Sequence, residues 1–414
     1  MTITAPEPTT TGTERTVPRF VSVDDHVIEP AGVWQDRLPA KYRDVGPRLE
    51  RLRVANLNFD GINYSFDIVD SSSTEGKFAD FWCYEDIKVP MRRIITAVGF
   101  PQEERTMIPV TYDEMRKGCW DQASRLEDMD VNHTEASLCF PTFPRFCGQT
   151  FMEAKDKDLA ELCVKAYNDW MVEEWCGGDG AGRLVPLCIP MMWDAELSAA
   201  EVRRNAARGV HAVTFSEIPP FLGLPSIHTG YWEPFFQACA ETDTVINMHI
   251  GSSSRMPATS PDAPAGVQAT LSFNNCMGSM ADWLFSGILV RHPTLKLAYS
   301  EGQMGWIPYA LERAHSVWKE FRGWAFDSTA VPEPPEFYFR RQIFACFFRD
   351  NFGLKNLEDI GVDNVTFETD YPHSDSTWPE TKDVFTTMVR DLPDDVVYKL
   401  ARGNAIRMLS LDLD

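Results

Sequence analysis

The sequence predicts an α/β protein whose core is a (β/α)8 TIM barrel. Short apolar runs rich in β-branched residues alternate with longer amphipathic stretches along most of the chain. Strands that are apolar on both faces and alternate with helices indicate a parallel sheet covered by helices, and eight such units favour a closed barrel. An open, doubly wound sheet is the alternative. Its first strand should lead into a glycine-rich turn, and residues 25–30 contain no glycine.

Eight segments carry the strand pattern, and amphipathic segments between them predict helices. The predicted strands are 20–27, 135–140, 184–189, 212–216, 244–250, 296–300, 343–347 and 365–369. The predicted helices include 112–129, 156–175, 194–208, 232–241, 277–290, 306–321 and 381–390.

Residues 18–414 are predicted to form one barrel domain, preceded by a disordered tail over residues 1–17. Two segments are longer than the connections that a barrel without insertions needs. Residues about 45–110 hold aromatics and short alternating runs, which predict an insertion that caps the barrel mouth. Residues about 251–270 follow the fifth strand and predict a long loop over the same mouth.

The charge balance excludes some classes of partner. The chain has 39 Lys and Arg against 61 Asp and Glu, a formal net charge of −22. Such a surface repels nucleic-acid phosphates and anionic membranes. No apolar run is long enough to span a membrane and no signal peptide is evident, so a cytoplasmic location is predicted. The ten cysteines form no C-x-x-C pair and are best explained as buried free thiols.

Polar side chains end the predicted strands, at the edge where TIM barrels carry their active sites. The first strand ends in Asp24-Asp25-His26, and alternation along the strand puts Asp24 and His26 on one side. That many acids in one mouth would repel one another, and a bound cation would resolve the repulsion. The other acids and imidazoles near strand ends are Glu29, Glu217, His249, Glu301, Asp370 and His373.

Each of these residues also has a structural interpretation. An acid can cap a loop or a helix N-terminus, and a histidine can be a hydrogen-bonded core residue. The pattern leaves Glu29 and His373 open between direct ligation and support of a ligand. Glu217 is assigned to such support or to substrate contact.

Four motifs together resemble the amidohydrolase-related family of metal-dependent barrels. The resemblance covers about residues 19–408 and implies a barrel of the metal-dependent hydrolase type. The family includes aromatic-acid decarboxylases and small-ring hydrolases. The motifs are Asp24-x-His26-x-x-Glu29-Pro30, His249 after a strand, Ser300-Glu301-Gly302-x-x-Gly305-Trp306-Ile307-Pro308, and Glu368-x-Asp370-Tyr371-Pro372-His373.

One departure from the family pattern is informative. Hydrolase and decarboxylase members usually begin with His-x-His or Glu-x-His and end the sixth strand in a histidine, whereas this chain has Asp24 and Glu301. The resemblance therefore implies a carboxylate-rich ligand set large enough for two metals, since one zinc takes about three or four ligands. Its members are Asp24, His26, Glu29, His249, Glu301, Asp370 and His373.

Mixed carboxylate and imidazole donors without thiolate are typical of oxygen-activating diiron sites. The pattern is similar to a branch of the family whose characterised member is a nonheme diiron monooxygenase, acting on a CoA-linked diterpenoid in antibiotic biosynthesis. The resemblance thus implies an oxidoreductase with two Fe ions that uses O2 to hydroxylate an unactivated C–H bond of a CoA-linked terpenoid. Asp370 and Glu301 are its predicted catalytic residues.

The chain carries no flavin or nicotinamide fingerprint, so an oxygenase would need an external electron donor. The alternative is a hydrolase or decarboxylase of a small carboxylate that binds one Zn or Mn, with Asp370 moving the proton. CoA is strongly anionic and requires a local basic patch, for which Arg92, Arg93 and Arg255 are candidates. A homodimer is also expected.

Overall fold

The computed structural model describes residues 16–60 and 64–413; most of the predicted tail therefore lies outside the described residues. The predicted (β/α)8 barrel is confirmed. The strands of the described chain are β1 Phe20–Val27, β2 Arg48–Phe59, β3 Tyr64–Val69, β4 Lys77–Tyr84, β5 Ile87–Pro90, β6 Thr134–Pro141, β7 Leu184–Val185, β8 Ala212–Phe215, β9 Val245–His249, β10 Leu297–Ser300, β11 Ile343–Phe347 and β12 Val365–Phe367.

Eight of these strands form the barrel wall. Parallel pairing runs β1-β6-β7 in one part and β8-β9-β10-β11-β12 in the other. A parallel bridge between Cys188 and Val213 joins the two parts. At the other seam the Asp370 N–H donates to the Asp24 carbonyl at 3.0 Å. All strands therefore run in one direction, and their carboxyl ends meet at one mouth.

Helices surround the wall, and an apolar core that includes Phe215, Met248 and Trp283 joins strands to helices. A separate cluster joins strand residues such as Val21 and Leu138 to the last helix. The helices are α1 Gly32–Gln35, α2 Gln122–Val131, α3 Gln149–Met152, α4 Lys157–Trp170, α5 Ala195–Ala206, α6 Glu233–Glu241, α7 Ala265–Leu271, α8 Phe273–Phe285, α9 Ile288–Arg291, α10 Ile307–Glu320, α11 Pro335–Gln342, α12 Asn351–Lys355, α13 Leu357–Ile360, α14 Thr381–Met388, α15 Asp394–Tyr398 and α16 Asn404–Leu409.

Between β1 and α2 the chain forms an antiparallel sheet with the strand order β3-β2-β4-β5. This sheet falls within the segment for which the sequence predicts an insertion. The chain that follows it contacts the loop after β12: the Ala97 N–H donates to the Pro372 carbonyl at 2.7 Å, and Arg105 Nη1 donates to the Ser374 carbonyl at 3.0 Å. The segment therefore borders the barrel mouth.

Two predicted elements differ from the structure for local reasons. The strand predicted at 184–189 ends as β7 at Val185, because Pro186 has no N–H to donate to a ladder. The helix predicted at 112–129 is replaced by two 3-10 turns and α2. α2 begins at Gln122 because the Asp121 carboxylate accepts the Ser124 N–H at 3.0 Å and caps the helix there.

All ten cysteines are buried and free, as predicted. Across the two described ranges, each helix lacks either the length or the apolar character needed to cross a bilayer.

Candidate metal centre

β1 delivers Asp24 and His26 to the inside of the barrel. Its pairing with β6 shifts by one residue between Ser22 and Asp25. Asp24 Oδ1 lies 3.6 Å from His26 Nε2, as alternation along the strand predicts. Asp25 is turned toward the neighbouring strand, where its carboxylate accepts hydrogen bonds from the Thr369 hydroxyl at 2.5 Å and the Tyr371 N–H at 2.9 Å. Of the two adjacent aspartates, only Asp24 is available to a ligand.

His249, the last residue of β9, lies across the barrel from β1. Its Nε2 is 3.2 Å from His26 Nε2, 3.4 Å from Asp24 Oδ2 and 3.5 Å from Glu301 Oε1. The opposite ring nitrogen, Nδ1, lies 2.6 Å from the Ile250 carbonyl oxygen. Because a carbonyl only accepts, Nδ1 carries the proton, and Nε2 is left as the metal-ligating atom.

Asp370 and His373 follow β12 and complete the cluster. Asp370 Oδ1 lies 3.6 Å from His26 Nε2 and 3.1 Å from His373 Nδ1. His373 Nδ1 is also 3.8 Å from Glu301 Oε1. The rings of His26 and His373 stack with their centroids 3.6 Å apart. Six side chains from β1, β9, β10 and β12 thus converge at the mouth.

Two of these donors adopt a strained backbone conformation. Glu301 and Asp370 have φ values of 56° and 50°, in the left-handed region that costs a non-glycine residue about 1–3 kcal/mol. Hydrogen bonds hold both positions: the Glu301 N–H donates to Glu368 Oε2 at 3.1 Å, and the Asp370 N–H donates to the Asp24 carbonyl. Such strain is concentrated at functional sites.

The carboxylates of Asp24 and Asp370 are fully buried, and none of their four oxygen atoms has a hydrogen-bond partner among the described residues. Burial raises the pKa of Asp24, and the neighbouring carboxylates of Glu368 and Glu301 raise it further. Burial and Glu301 likewise raise the pKa of Asp370. Buried acids without partners destabilise a fold unless a cation neutralises them. This donor set therefore fits a divalent metal ion.

The pKa shifts of His26 and Glu301 suit ligation. Burial lowers the pKa of His26, and the neighbouring His373 and His249 lower it further, so that its imidazole is neutral. Burial pushes the pKa of Glu301 upward, but His249 and His373 outweigh that effect and lower it overall. Glu301 is thus held as a carboxylate between two imidazoles.

The donors fall into two overlapping groups of four, in each of which all ligand atoms lie within 4.8 Å of one another. Asp24, His26, His249 and Glu301 form the first group, and His26, Glu301, Asp370 and His373 form the second. Mixed nitrogen and oxygen donors without thiolate suit zinc, manganese and iron.

The structure does not bring Glu29 into this cluster, so its prediction as a ligand is corrected. Its two carboxylate oxygens accept the N–H groups of Thr142 at 2.8 Å and Phe143 at 3.0 Å, just beyond β6. Those backbone donors have no strand partner beyond the end of β6, and Glu29 satisfies them. Burial raises its pKa to about 7.

The predicted basic patch of Arg92 and Arg93 is also not found. Arg92 Nη1 donates to the Met107 carbonyl at 3.1 Å. Arg93 is buried, donates to the Glu114 carbonyl at 2.6 Å and packs on a phenylalanine ring. Both guanidinium groups therefore stabilise the inserted segment. Arg255 is exposed, with its guanidinium 4.9 Å from the centre of the Phe221 ring.

Glu217 follows β8 and lies outside the donor groups, beside the loop after β9. Its carboxylate accepts hydrogen bonds from Ser253 Oγ at 3.3 Å and Cys276 Sγ at 3.5 Å. Burial raises its pKa to about 7. Both contacts are to residues outside the donor groups, so its role in ligand support or substrate contact stays a prediction.

Three residues around the cluster were given no role by the sequence analysis, although Glu368 is part of the fourth motif. Glu368 Oε2 receives the Glu301 N–H, while its Oε1 is buried without a partner. Its position two residues before Asp370 could have indicated it by strand alternation. Phe146 stacks on His249 with the ring centroids 4.1 Å apart. Arg125, fully buried, donates to the His26 carbonyl at 2.6 Å, and no local motif indicates that contact.

The sequence profile of the family described as amidohydrolase matches residues 73–411, which include every donor after β1. The chain belongs to the amidohydrolase family. It is accordingly an enzyme of that family, as the motifs predict. A search of curated proteins returned no match.

Solved structures share the fold of this amidohydrolase family member. An amidohydrolase from Mycobacterium avium subsp. paratuberculosis K-10 superposes with a TM-score of 0.68 at 18% identity, covering 95% of this chain and 99% of that protein. A manganese-bound 5-carboxyvanillate decarboxylase from Novosphingobium aromaticivorans DSM 12444 gives 0.57 at 19% identity, covering 71% and 82%. A manganese-bound dihydroxybenzoic acid decarboxylase from Polaromonas sp. JS666 gives 0.57 at 18%, covering 78% and 94%.

The predicted diiron monooxygenase is wrong. The family match and the solved neighbours, which are amidohydrolases and decarboxylases, contradict an oxidoreductase of antibiotic biosynthesis and agree with the predicted alternative. Two Fe ions are likewise unsupported, whereas a metal is supported by the donor groups. The CoA-linked substrate and the electron donor followed from the oxygenase interpretation alone, and the homodimer stays a prediction.

Proposed function

We propose that this protein is a decarboxylase of a small carboxylic acid that uses one divalent metal ion, Mn²⁺ or Zn²⁺. The observation that carries the proposal is the pair of buried carboxylates, Asp24 and Asp370, whose oxygens lack partners and lie beside two imidazoles. Family membership and the likeness to manganese-bound decarboxylases support it.

We assign the ion to the first donor group, because Asp24, His26, His249 and Glu301 approach one another from three different strands. An ion bound there would act as a Lewis acid toward the oxygens of the substrate. Phe146 lies flat against His249 and Phe140 lies edge-on to it, so apolar surface excludes water on that side. Exclusion of water strengthens the electrostatic interactions within the site.

Asp370 and His373 lie outside the first donor group and are assigned to proton transfer. The substrate C–COO⁻ bond breaks and CO2 leaves, and the electron pair left on the carbon takes a proton from the Asp370 carboxyl group. His373 Nδ1 is 3.1 Å from Asp370 and its side chain is 16% exposed, against 1% for Asp370. His373 can therefore return a proton from solvent to Asp370 after each turnover.

The test is turnover of a panel of hydroxylated benzoic acids by manganese-loaded protein in D2O. The expected result is one CO2 per product molecule and one deuterium at the vacated carbon, with equal rates in air and under argon. Asp370→Asn should reduce the rate while the manganese content stays near that of the parent protein. If no acid in the panel loses CO2, or if turnover requires O2, the proposal is refuted.

Hydrolysis is a second candidate, favoured by the same free oxygens of Asp370. As a base, Asp370 would accept a proton from an attacking water and pass it to the leaving group. Incorporation of ¹⁸O from labelled water into the product, without release of CO2, would establish hydrolysis in place of decarboxylation.

A further inference from the structure

A partly buried phenylalanine packs against one side of the metal centre. Phe146 lies in the loop after β6, and its ring stacks on the His249 imidazole with the centroids 4.1 Å apart and the planes 16° apart. The same ring lies edge-on to His26, with the centroids 6.1 Å apart. Gly251 borders the ring as well, since a Cβ atom there would lie 3.0 Å from Phe146 Cε2. Phe146 therefore restricts rotation of the His249 imidazole, whose Nε2 is the metal-ligating atom.

The residue before Phe146 has a strained backbone. Arg145 has a φ of 60°, in the left-handed region that is unfavourable for a residue with a Cβ atom. Its Nη1 donates to both carboxylate oxygens of Glu153, at 2.9 and 3.0 Å. The two side chains of this ion pair are 38% and 53% exposed, and exposed ion pairs contribute little to stability. The ion pair alone therefore does not offset the strain, and strain of this kind is concentrated at functional sites.

Arg145 also joins two loops of the barrel mouth. Its Nη2 donates to Ser254 Oγ, in the loop that follows His249 at the end of β9. Ser254 has a φ of 57°, so both partners of this hydrogen bond have left-handed backbone. They are 109 residues apart in the sequence. The hydrogen bond therefore fixes the loop after β6 relative to the strand end that carries a metal donor.

A buried glutamine makes a second connection between these loops, on the other side of Phe146. Gln149 Oε1 accepts the Cys147 N–H at 2.8 Å, and Gln149 Nε2 donates to the Ser252 carbonyl at 3.0 Å. Both sequence neighbours of Phe146 are therefore held against the loop after β9. Gln149 supports the buried side of the loop after β6, whereas Arg145 supports it at the solvent-exposed rim.

We propose that Arg145 is a positioning residue for the metal centre, because its hydrogen bond to Ser254 holds the strained turn that keeps Phe146 stacked on His249. Its Nη atoms are occupied by Glu153 and Ser254, so it acts through Phe146 and not as a ligand. This inference rests on the ion being held by His249, as in the proposed function, and is independent of the reaction. Loss of a group that orients a metal-ligating imidazole typically weakens metal binding about 10–100-fold.

The experiment compares the Mn²⁺ affinity of the full chain, measured by calorimetry, and the visible absorption spectrum of the chain loaded with Co²⁺. Arg145→Met keeps the aliphatic stem and removes the guanidinium, so that the turn relaxes and Phe146 leaves His249. It should weaken manganese binding about tenfold and change the Co²⁺ spectrum, which reports the arrangement of the ligands. Ser254→Ala should have a similar effect. Arg145→Lys should recover part of the affinity, because an ammonium group can donate to one of the two partners.

A double-mutant cycle tests whether Arg145 acts through Phe146. Phe146→Ala alone should weaken manganese binding at least as much as Arg145→Met does. In the Phe146→Ala background, Arg145→Met should cause little further loss, because two changes that act through one contact are not additive. An equal loss of affinity with and without Phe146 overturns the proposal, and so does an Arg145→Met variant that binds manganese as tightly as the parent.

Arg203→Met is the matched control, because Arg203 also pairs with a glutamate at the surface. Its Nη2 lies 2.9 Å from Glu241 Oε2, and 46% of each side chain is exposed. Arg203 lies on α5, so the control should leave the manganese affinity and the Co²⁺ spectrum unchanged. A loss of affinity equal to that of Arg145→Met would show a general effect of losing a surface ion pair and would overturn the proposal.

His249→Ala separates the positioning role from the proposed function. It should weaken manganese binding more than Arg145→Met does, because a ligand is lost. Unchanged affinity in His249→Ala refutes the assignment of the ion and, with it, the role of Arg145. Affinity that depends on both His249 and Arg145, with no CO2 released from any acid, retains the positioning role and refutes decarboxylation.

Discussion

Replacing Asp24 by asparagine should have opposite effects on stability with and without metal. The Asp24 side chain is fully buried, and neither of its oxygens has a partner among the described residues. Without metal, its charge destabilises the folded state. With metal, the same charge becomes a ligand. Asp24→Asn removes the charge and the metal ligand. The metal-free variant should therefore be more stable than the metal-free parent, and manganese should no longer stabilise it.

The size of both effects can be estimated. A buried, unpartnered polar group costs about 1–3 kcal/mol, which asparagine still bears, but the additional cost of the charge, of the same order, is removed. A chain of 414 residues has an unfolding entropy of about 0.9 kcal/mol per degree at about 2.1 cal/mol/K per residue. Metal-free Asp24→Asn should therefore melt about 1–3 °C above the metal-free parent. Manganese at about 100 times its Kd adds about 2.7 kcal/mol, or about 3 °C, to the parent alone.

The pH dependence has a definite sign. Because burial raises the pKa of Asp24 in the folded state, the stability that it contributes is present at acid pH and lost as the pH rises. The advantage of metal-free Asp24→Asn should therefore be larger at about pH 8.5 than at about pH 5.

The assay is scanning calorimetry of chelator-treated protein, with and without added MnCl2. Asp25→Asn is the control at the adjacent position, because the Asp25 carboxylate is already satisfied by Thr369 and Tyr371. It should lower the melting temperature in both conditions and retain a manganese-dependent increase. Metal-free Asp24→Asn that melts below the parent would refute the destabilising charge, and manganese that stabilises the variant as much as the parent would show that Asp24 is not a ligand.

Three further changes test the surroundings of the cluster. Asp370→Asn should lower kcat by about 10²–10⁴-fold, because a proton donor is lost, while elemental analysis still finds manganese. Glu217→Gln should flatten the pH dependence of stability. Because burial raises the pKa of Glu217 to about 7, the parent loses about 3 kcal/mol of stability in total as the pH rises through that value. Melting temperatures at about pH 5 and about pH 8.5 measure this loss. Arg125→Met should weaken manganese binding about 10–100-fold in a titration, because the His26 carbonyl loses the hydrogen bond that positions the end of β1. Unchanged affinity would show that this hydrogen bond does not position the end of β1.

The metal-ligand candidates at the strand ends were predictable because their positions depend on the local sequence pattern. Alternation along β1 selects Asp24 and His26, and the parallel topology brings His249 and Asp370 to the same mouth. The shift in the pairing of β1 with β6 just before Asp25 was not visible in the sequence. Bulges arise from pairing between strands, and β6 lies more than a hundred residues away.

Glu29 shows why spacing alone is insufficient. Its place after the D-x-H pattern favours ligation, yet its carboxylate satisfies two N–H groups beyond the end of β6. Which backbone donors lack partners is a property of the assembled sheet. The same limit explains Arg93, whose burial within the inserted segment could not be predicted from a pair of neighbouring arginines.

The reaction was misjudged because mixed carboxylate and imidazole donors suit mononuclear zinc and manganese sites as well as diiron sites, and the family match is what separates these possibilities. Of the seven candidate ligands, Glu29 is committed elsewhere, and the two donor groups that remain share His26 and Glu301. Glu301 and Asp370 reach their places only through left-handed backbone, at positions held by the Glu368 carboxylate and the Asp24 carbonyl. The strain at these two residues is maintained by hydrogen bonds to Glu368 and to the Asp24 backbone, which ties the conformation of each strand end to its neighbours.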